Sequence, residues 1–385
     1  MVSRADRSRF AEWFWTVDHY LLASFVLLLI GGVVLSFAAS PPVAERLGVD
    51  SFFFVKRQAA FMVPALAIML AGSLMSPRLV RRFALAVFVV SVLLMVATLF
   101  VGFEAKGARR WIYIAGFSLQ PSEFLKPAFV ILVAFLLSES GRRREVPGAM
   151  FAVLIYAICA ALLIAQPDFG QTLLLGAVWA GLFFLNGLSW ILIMGLGIVG
   201  IVGLFSAYLF LPHVTNRVDR FLNPENSDNF QIDTAMESFL AGGWFGRGPG
   251  EGTVKRILPD SHTDFIFAVV GEEFGVVVCL LMVSVFAFIV IRGLNHASKN
   301  QDAFTRLATA GLVVLFGLQA TINLCVNLNL IPPKGMTLPF ISYGGSSLLS
   351  SAMTAGAILA LTRRRPRPTR GDVVTVSRLS PSSLM

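Results

Sequence analysis

Residues 83–102 read FALAVFVVSVLLMVATLFVG, and residues 265–291 read FIFAVVGEEFGVVVCLLMVSVFAFIVI. The first holds no charged side chain; the second holds only Glu272 and Glu273, near its start. A bilayer core about 30 Å thick takes roughly 20 apolar residues of helix to cross, because a helix satisfies its backbone N–H and C=O groups within its own segment. Both stretches read as membrane spans. Comparable stretches recur at 20–39, 54–75, 122–138, 148–165, 170–187, 189–211, 304–329 and 342–362. The sequence therefore predicts an all-α polytopic integral membrane protein of about ten transmembrane helices. The span at 122–138 carries Glu123 and Lys126, and within 170–211 only the Asn186–Trp190 turn separates two spans.

Composition agrees with this reading. In 385 residues, 56% are hydrophobic and 14% charged, and the mean hydropathy is +0.76, which leaves too few polar residues to cover a soluble globule. Cys159, Cys279 and Cys325 all fall in apolar runs, so neither a disulfide framework nor a CxxC metal site is available. Arg4, Arg7 and Arg9 before an apolar run ending at Ala38-Ala39-Ser40 have the outline of a signal peptide. That run is longer than a usual signal-peptide core and is read as an uncleaved first span.

The 31 Lys and Arg outnumber the 22 Asp and Glu, for a net charge of +9. An even number of spans puts both termini on one face. With that face inside, more than half of the basic residues are internal, among them Arg78, Arg81, Arg82, Arg142, Arg143, Arg144, Arg363, Arg364 and Arg365. The bias predicts cytoplasmic termini and explains the basic balance without nucleic acid. Three regions follow: a cytoplasmic N-terminal tail at 1–19, a membrane domain at 20–362 and a basic cytoplasmic tail at 363–385 drawn to anionic membrane lipids. The connection at 212–263, between the seventh and eighth spans, is the one long extracytoplasmic loop and is rich in Gly, Asp, Asn and Arg.

Charges at membrane depth are costly, so each asks for a partner or a role. Four clusters stand out. At the outer end of the fourth span, Lys106-Gly107-Ala108-Arg109-Arg110-Trp111 precedes Gln120-Pro121-Ser122-Glu123-Phe124-Leu125-Lys126-Pro127. Pro121, Ser122 and Glu123 suit a helix start, and Glu123 and Lys126 share a face as an ion pair. Lys126 near two arginines also suits an anionic group such as a lipid-linked pyrophosphate. The second cluster, Gln166-Pro167-Asp168-Phe169-Gly170-Gln171, reads adequately as a turn with Asp168 capping the next helix.

In the third cluster, a glycine-rich run over 242–252 leads through Lys255 and Arg256 to Ser261-His262-Thr263-Asp264-Phe265-Ile266-Phe267. Asp264 is placed either to cap the eighth span or to act as a general base beside an anion site, with His262 two residues away. A helix dipole would lower its pKa and partial burial would raise it, and the sequence leaves that balance open. The fourth cluster runs from Ile331-Pro332-Pro333-Lys334-Gly335 to Ser346-Ser347; its small residues suit tight packing, and Lys334 is its candidate functional residue.

Taken together these motifs resemble the SEDS family (shape, elongation, division and sporulation proteins). The resemblance rests on Phe52-Phe53-Phe54-Val55-Lys56-Arg57-Gln58, Lys106-Gly107-Ala108-Arg109-Arg110-Trp111, Gln120-Pro121-Ser122-Glu123, Gln166-Pro167-Asp168-Phe169-Gly170, His262-Thr263-Asp264-Phe265-Ile266-Phe267 with Gly271-Glu272-Glu273, and Leu338-Pro339-Phe340-Ile341-Ser342-Tyr343-Gly344-Gly345-Ser346-Ser347. The Phe-rich segment and Pro333-Lys334-Gly335-Met336-Thr337-Leu338 tilt it toward the family's division branch rather than its elongation branch. The glycine-rich loop departs from the family pattern, with Leu240-Ala241-Gly242-Gly243 and Glu251-Gly252-Thr253 where a Gly-Ser-Gly-Gly run and a later Ser are common.

The resemblance implies a peptidoglycan glycosyltransferase in the bacterial cytoplasmic membrane at the division septum. Its substrate would be lipid II, the undecaprenyl-pyrophosphate-linked disaccharide peptide, and its partners a class B penicillin-binding transpeptidase of the FtsI type and other divisome proteins. Asp264 would be the catalytic carboxylate. Arg109, Trp111, Glu123, Lys126, Lys255, His262 and Lys334 would bind substrate or pyrophosphate. No cofactor is implied with certainty, and a divalent cation is an option. The alternatives are a flippase for the same lipid and a non-catalytic scaffold that recruits a transpeptidase.

Overall fold

The computed structural model describes residues 8–364 apart from 106–107, 115, 143–144, 146, 188–189, 211–213, 216–217 and 220–229. The basic tail from Arg365 onward, Lys106 and much of the stretch 211–229 therefore lie outside the described residues. The helices in chain order are α1 (Arg9–Thr16), α2 (His19–Ala39), α3 (Pro41–Arg46), α4 (Phe53–Leu74), α5 (Pro77–Val101), α6 (Pro121–Arg142), α7 (Gly148–Ala165), α8 (Phe169–Leu185) and α9 (Trp190–Phe210). After them come α10 (Phe230–Gly242), α11 (Ile266–Ser298), α12 (Ala303–Asn327) and α13 (Gly345–Thr362).

Each of the ten expected stretches has a helix. Eight are long and apolar enough to cross a bilayer, and α8 and α9 are the two further apolar helices. Polar side chains set where they begin. Asp18 accepts from the backbone N–H of Tyr20 and Leu21 at 3.0 Å, Ser76 from Leu79 at 3.2 Å, and Asp302 from Thr305 at 3.0 Å. Each carbonyl-poor first turn thus gains the acceptor it lacks.

The centre of the bundle is α6, α12 and α13, whose apolar windows are 67%, 67% and 89% buried, against 22% for α4, α5 and α7. Small residues let α13 approach α4: a β-carbon on Gly356 would come within 2.8 Å of the Met69 carbonyl oxygen and 3.2 Å of the Gly72 Cα. In lipid, where no hydrophobic force drives helices together, such close backbone packing holds them.

Besides the short helices α1, α3 and α10, two further features were not foreseen. A three-stranded antiparallel sheet, β1 (Phe103–Ala105), β2 (Ala108–Ile114) and β3 (Phe117–Leu119), fills the connection between α5 and α6. Ile112 pairs with Leu119, and Phe103 with Trp111. The second is a break inside α11 at Gly275, where φ is 77° and ψ is 177°. Backbone groups freed by a break at membrane depth need new partners. The glycine-rich loop supplies them. Arg247 and Gly248 N–H donate to the Glu272 and Glu273 carbonyls at 2.9 and 3.0 Å, while Val276 and Val277 N–H donate to the Gly243 and Trp244 carbonyls at 3.0 and 3.2 Å. Part of the expected outer loop is therefore bound into the bundle. Helix α10 packs on α11 so closely that a β-carbon on Gly242 would lie 1.9 Å from the Gly271 carbonyl oxygen.

Candidate active site

Asp264 is half-buried, one residue before Phe265, the N-cap of α11, which makes no side-chain capping bond. Its backbone is held by α12. Asn323 Nδ2 donates to the Asp264 carbonyl at 3.0 Å, and Asn327 Nδ2 donates to the same oxygen at 2.9 Å. Asn323 Nδ2 also reaches the Met336 carbonyl at 2.6 Å, which ties the 331–344 segment to the same helix. One turn earlier, Gln319 donates to the Thr337 carbonyl at 3.3 Å and accepts from Lys126 Nζ at 3.2 Å. Gln319, Asn323 and Asn327 are spaced four apart and so lie along one stripe of α12. That stripe joins Asp264, the Met336–Thr337 backbone and Lys126 into a single polar seam.

The 331–344 segment lies between Asp264 and the second cluster. A β-carbon added to Gly335, whose φ is 64°, would sit 3.7 Å from Asp264 Oδ2. A β-carbon on Gly170 would sit 3.4 Å from Lys334 Cβ and 3.6 Å from Lys334 Cδ. Lys334 thus runs alongside the Asp168–Gly170 turn, and the glycine beside it leaves room next to the Asp264 carboxylate.

Lys126 and Glu123 are 2% and 5% exposed and paired at 2.9 Å. Gln171 Nε2 adds a second donor to Glu123 Oε1 at 3.2 Å, while Gln171 Oε1 is buried without a hydrogen-bond partner among the described residues. Arg110 pairs with the buried Asp168 at 3.4 Å, and its Nε donates to the Gln166 carbonyl at 2.8 Å. Its Nη2 reaches the Pro167 carbonyl. Burial pushes the Asp168 carboxyl above the ordinary carboxylate range, against the opposing pull of Arg110 and the Gln171 N–H that it caps. Charges so poorly solvated are held by their partners, and an anion entering here would meet cations already stripped of water.

The remaining expected residues are distributed as follows. Arg109 is exposed and pairs with Glu104 at 3.4 Å; Trp111 is half-buried on the same strand. Alternation along β2 turns Arg110 inward where Arg109 turns out. Lys255 is buried, with Nζ donating to Glu273 and, at 2.9 Å, to the Ala38 carbonyl. Its backbone N–H and that of Val254 are capped by the Glu272 carboxylate at 2.8 and 2.7 Å. The His262 ring packs against Phe54, at 4.7 Å, and Tyr343, at 5.4 Å between centroids, and those two rings also touch each other at 5.1 Å. The structure therefore gathers Asp264, Lys334, Lys126 and Glu123 around one seam, and sets Lys255 and His262 in packed anchoring roles beside it.

The sequence reading does not name Arg110, Gln171, Gln319, Asn323 or Asn327 as substrate-binding residues, and it favours a cap for Asp168 over a direct chemical role. A signal existed for the three on α12: amides repeating every four residues in an otherwise apolar span are unexpected unless they have internal partners.

A bundle of apolar helices with charge-paired side chains and the half-buried Asp264 carboxylate at one rim defines a polytopic membrane protein. The family model described as cell cycle protein, covering FtsW, RodA and SpoVE, matches residues 18–366, and the chain belongs to this family, the SEDS proteins. It is 48% identical over 367 residues to a probable peptidoglycan glycosyltransferase FtsW from Caulobacter vibrioides, covering 94% of each chain. A protein of the same name from Trichlorobacter lovleyi is 36% identical, covering 92% of this chain and 94% of the relative. Among solved structures, the rod shape determining protein RodA of Thermus thermophilus superposes with a TM-score of 0.67 at 26% identity, covering 91% of this chain and 98% of that one. A chain from a structure described as the structural coordination of polymerization and crosslinking by a peptidoglycan synthase complex superposes with a TM-score of 0.75 at 26% identity, covering 90% and 97%.

Proposed function

We propose that this chain is a peptidoglycan glycosyltransferase that polymerises lipid II into glycan strands for septal wall synthesis, with Asp264 as general base. The observation that carries the reading is the half-buried Asp264 carboxylate beside the open Gly335 position, its backbone clamped by Asn323 and Asn327. The relatives named as peptidoglycan glycosyltransferases support the same chemistry.

In the proposed step, Asp264 takes the proton of the acceptor N-acetylglucosamine 4-hydroxyl. The oxygen attacks the anomeric carbon of the donor N-acetylmuramic acid from the face opposite the pyrophosphate. The new C–O bond forms as the bond to the pyrophosphate oxygen breaks, the anomeric centre inverts, and polyprenyl pyrophosphate leaves with the electron pair. General-base assistance of this kind contributes about 10²–10⁴ in rate. Cations at the leaving group stabilise its developing charge. Lys334 and Arg110, flanking the Asp168 turn, are suited to that role, and Lys126 through its contact network. Among the described residues no group of three or more His, Cys, Asp and Glu could hold a metal ion.

Both termini are assigned to the cytoplasm, with the Asp264 rim outside, on the basic-residue bias. The structural neighbour from a synthase complex that couples polymerization to crosslinking supports a class B transpeptidase as partner. The test is polymerisation of labelled lipid II by purified protein with and without that partner. Asp264→Asn should abolish strand growth while leaving the melting temperature unchanged. Movement of lipid II across vesicles without any strand growth would overturn the reading in favour of a flippase, and full activity of Asp264→Asn would remove the proposed base.

A further inference from the structure

At the rim opposite Asp264, the ends of α11 and α13 and the start of α12 enclose a cleft of about 640 Å³. Among its lining residues are Arg292, His296, Lys299, Arg363 and Arg364, against one carboxylate, Asp302. Asp302 is committed to capping α12, accepting from Thr305 N–H at 3.0 Å and Thr305 Oγ1 at 2.8 Å. A second cleft of about 190 Å³ shares Arg292, His296 and Arg364 with the first and is walled by Trp15 and Tyr20. These two aromatics are 45% and 67% exposed, and the Arg292 guanidinium lies 4.6 Å from the Tyr20 ring centroid.

The basic groups are positioned by the fold. Asp18 accepts from Arg292 Nε at 2.9 Å and lies 2.6 Å from His296 Nε2. Burial opposes charge on Asp18, but the bonds from Arg292, the Leu21 N–H and His296 outweigh it and hold the carboxyl below its ordinary value. Arg363 is fixed by Thr16 Oγ1 at 2.9 Å and Glu12 at 3.5 Å. Lys299 and Arg364 are exposed and make no ion pair among the described residues. The dipoles at the C-terminal ends of α11 and α13 account for a basic residue near each end, not for five around one space.

We infer that the joined clefts bind the phosphate headgroup of an anionic phospholipid. Arg292 and His296, held rigid by Asp18, supply directional donors, and Lys299 and Arg364 supply mobile charge. The choice of a lipid over a soluble anion rests on Trp15 and Tyr20. Tyr20 opens the span α2 and Trp15 stands on α1 just before it; exposed Trp and Tyr beside the start of a span sit at headgroup level, and basic residues there attract anionic lipid. The site is remote from Asp264 and does not depend on the glycosyltransfer reading.

The test uses full-length protein in neutral detergent, with bound phosphatidylglycerol counted by native mass spectrometry and phosphatidylcholine as control. Wild type should retain phosphatidylglycerol at least about tenfold better than phosphatidylcholine. The double variant Lys299→Gln/Arg364→Gln should lose about tenfold of that retention at an unchanged melting temperature. Trp15→Ala should weaken retention as well. Equal retention by wild type and the double variant overturns the proposal. Displacement of the lipid by inorganic phosphate, at an ionic strength matched with chloride, overturns the lipid assignment.

Discussion

Asn323 on α12 donates from one side-chain nitrogen to two backbone carbonyls, those of Asp264 at 3.0 Å and Met336 at 2.6 Å. The start of α11 and the segment that carries Lys334 are thereby set at fixed distances from each other. A general base is effective only when its proton acceptor stays within hydrogen-bond reach of the substrate hydroxyl. With Asp264 as the proposed base, Asn323 acts as a positioning residue. Asn323→Ala should lose about 1–3 kcal/mol of stability, from the buried Met336 carbonyl left without this donor. Asp264 keeps Asn327. The expected kinetic signature is a fall in kcat of tenfold or more with little change in KM for lipid II, read from single-variant polymerisation curves alongside thermal melts.

The buried pair of Lys126 and Glu123 separates charge from structure. Lys126→Met leaves Glu123 buried beside Gln171 alone and should cost about 3–5 kcal/mol. Adding Glu123→Gln removes the stranded charge, so the double variant should regain most of the lost melting temperature. It should not regain polymerase activity if the lysine serves the pyrophosphate. Recovery of both stability and turnover in the double variant would assign the pair a purely structural role.

Asp168 offers a pH-dependent prediction with a definite sign. Its carboxyl is raised above the ordinary value, mainly by burial. A group whose pKa is higher folded than unfolded adds stability below its unfolded pKa, and that contribution fades as pH climbs through the folded pKa. Asp168→Asn cannot titrate. Relative to wild type, the variant's melting temperature should therefore rise as pH increases from about 4, the ordinary carboxylate value, toward neutrality. A flat difference across that window would contradict the direction of the shift.

Gly246 and Gly250 test the docking of the glycine-rich loop on the broken helix. Both have positive φ, 79° and 88°. A β-carbon on Gly246 would fall 2.1 Å from the Glu273 carbonyl oxygen, whereas one on Gly250 meets nothing within 4 Å. Gly250→Ala should cost only the backbone term, about 1 kcal/mol. Gly246→Ala should cost distinctly more and expose residues 243–252 to protease, as followed by limited proteolysis of the purified protein.

The site was legible in the sequence to the extent that its chemistry is local. Asp264, Glu123 and Lys126 announced themselves as charges next to apolar runs, where each has to be explained. Arg110 did not. It stands beside Arg109 in an identical composition, and only the two-residue alternation of β2 sends one guanidinium to Asp168 and the other to Glu104 near solvent. Lys255 entered the expected pyrophosphate-binding set through the family resemblance, and the fold brings Glu273 and the Ala38 carbonyl to it. The sheet at 103–119 was equally hidden, because strands of three and seven residues leave almost no periodic trace beside twenty-residue spans.

The order of apolar spans, the rim that collects the acidic and glycine-rich motifs, and the family were determined by the sequence alone. Hydrophobic segregation in a bilayer acts along one dimension and is written residue by residue into the chain. Which cation meets which carboxylate, how α12 laces Lys126, the Met336–Thr337 backbone and Asp264 into one seam, and how a loop repairs the break at Gly275 were decided only in the tertiary structure. Those pairings depend on the rotation and register of packed helices, which no local pattern encodes, and a buried polar group takes whichever partner that packing delivers.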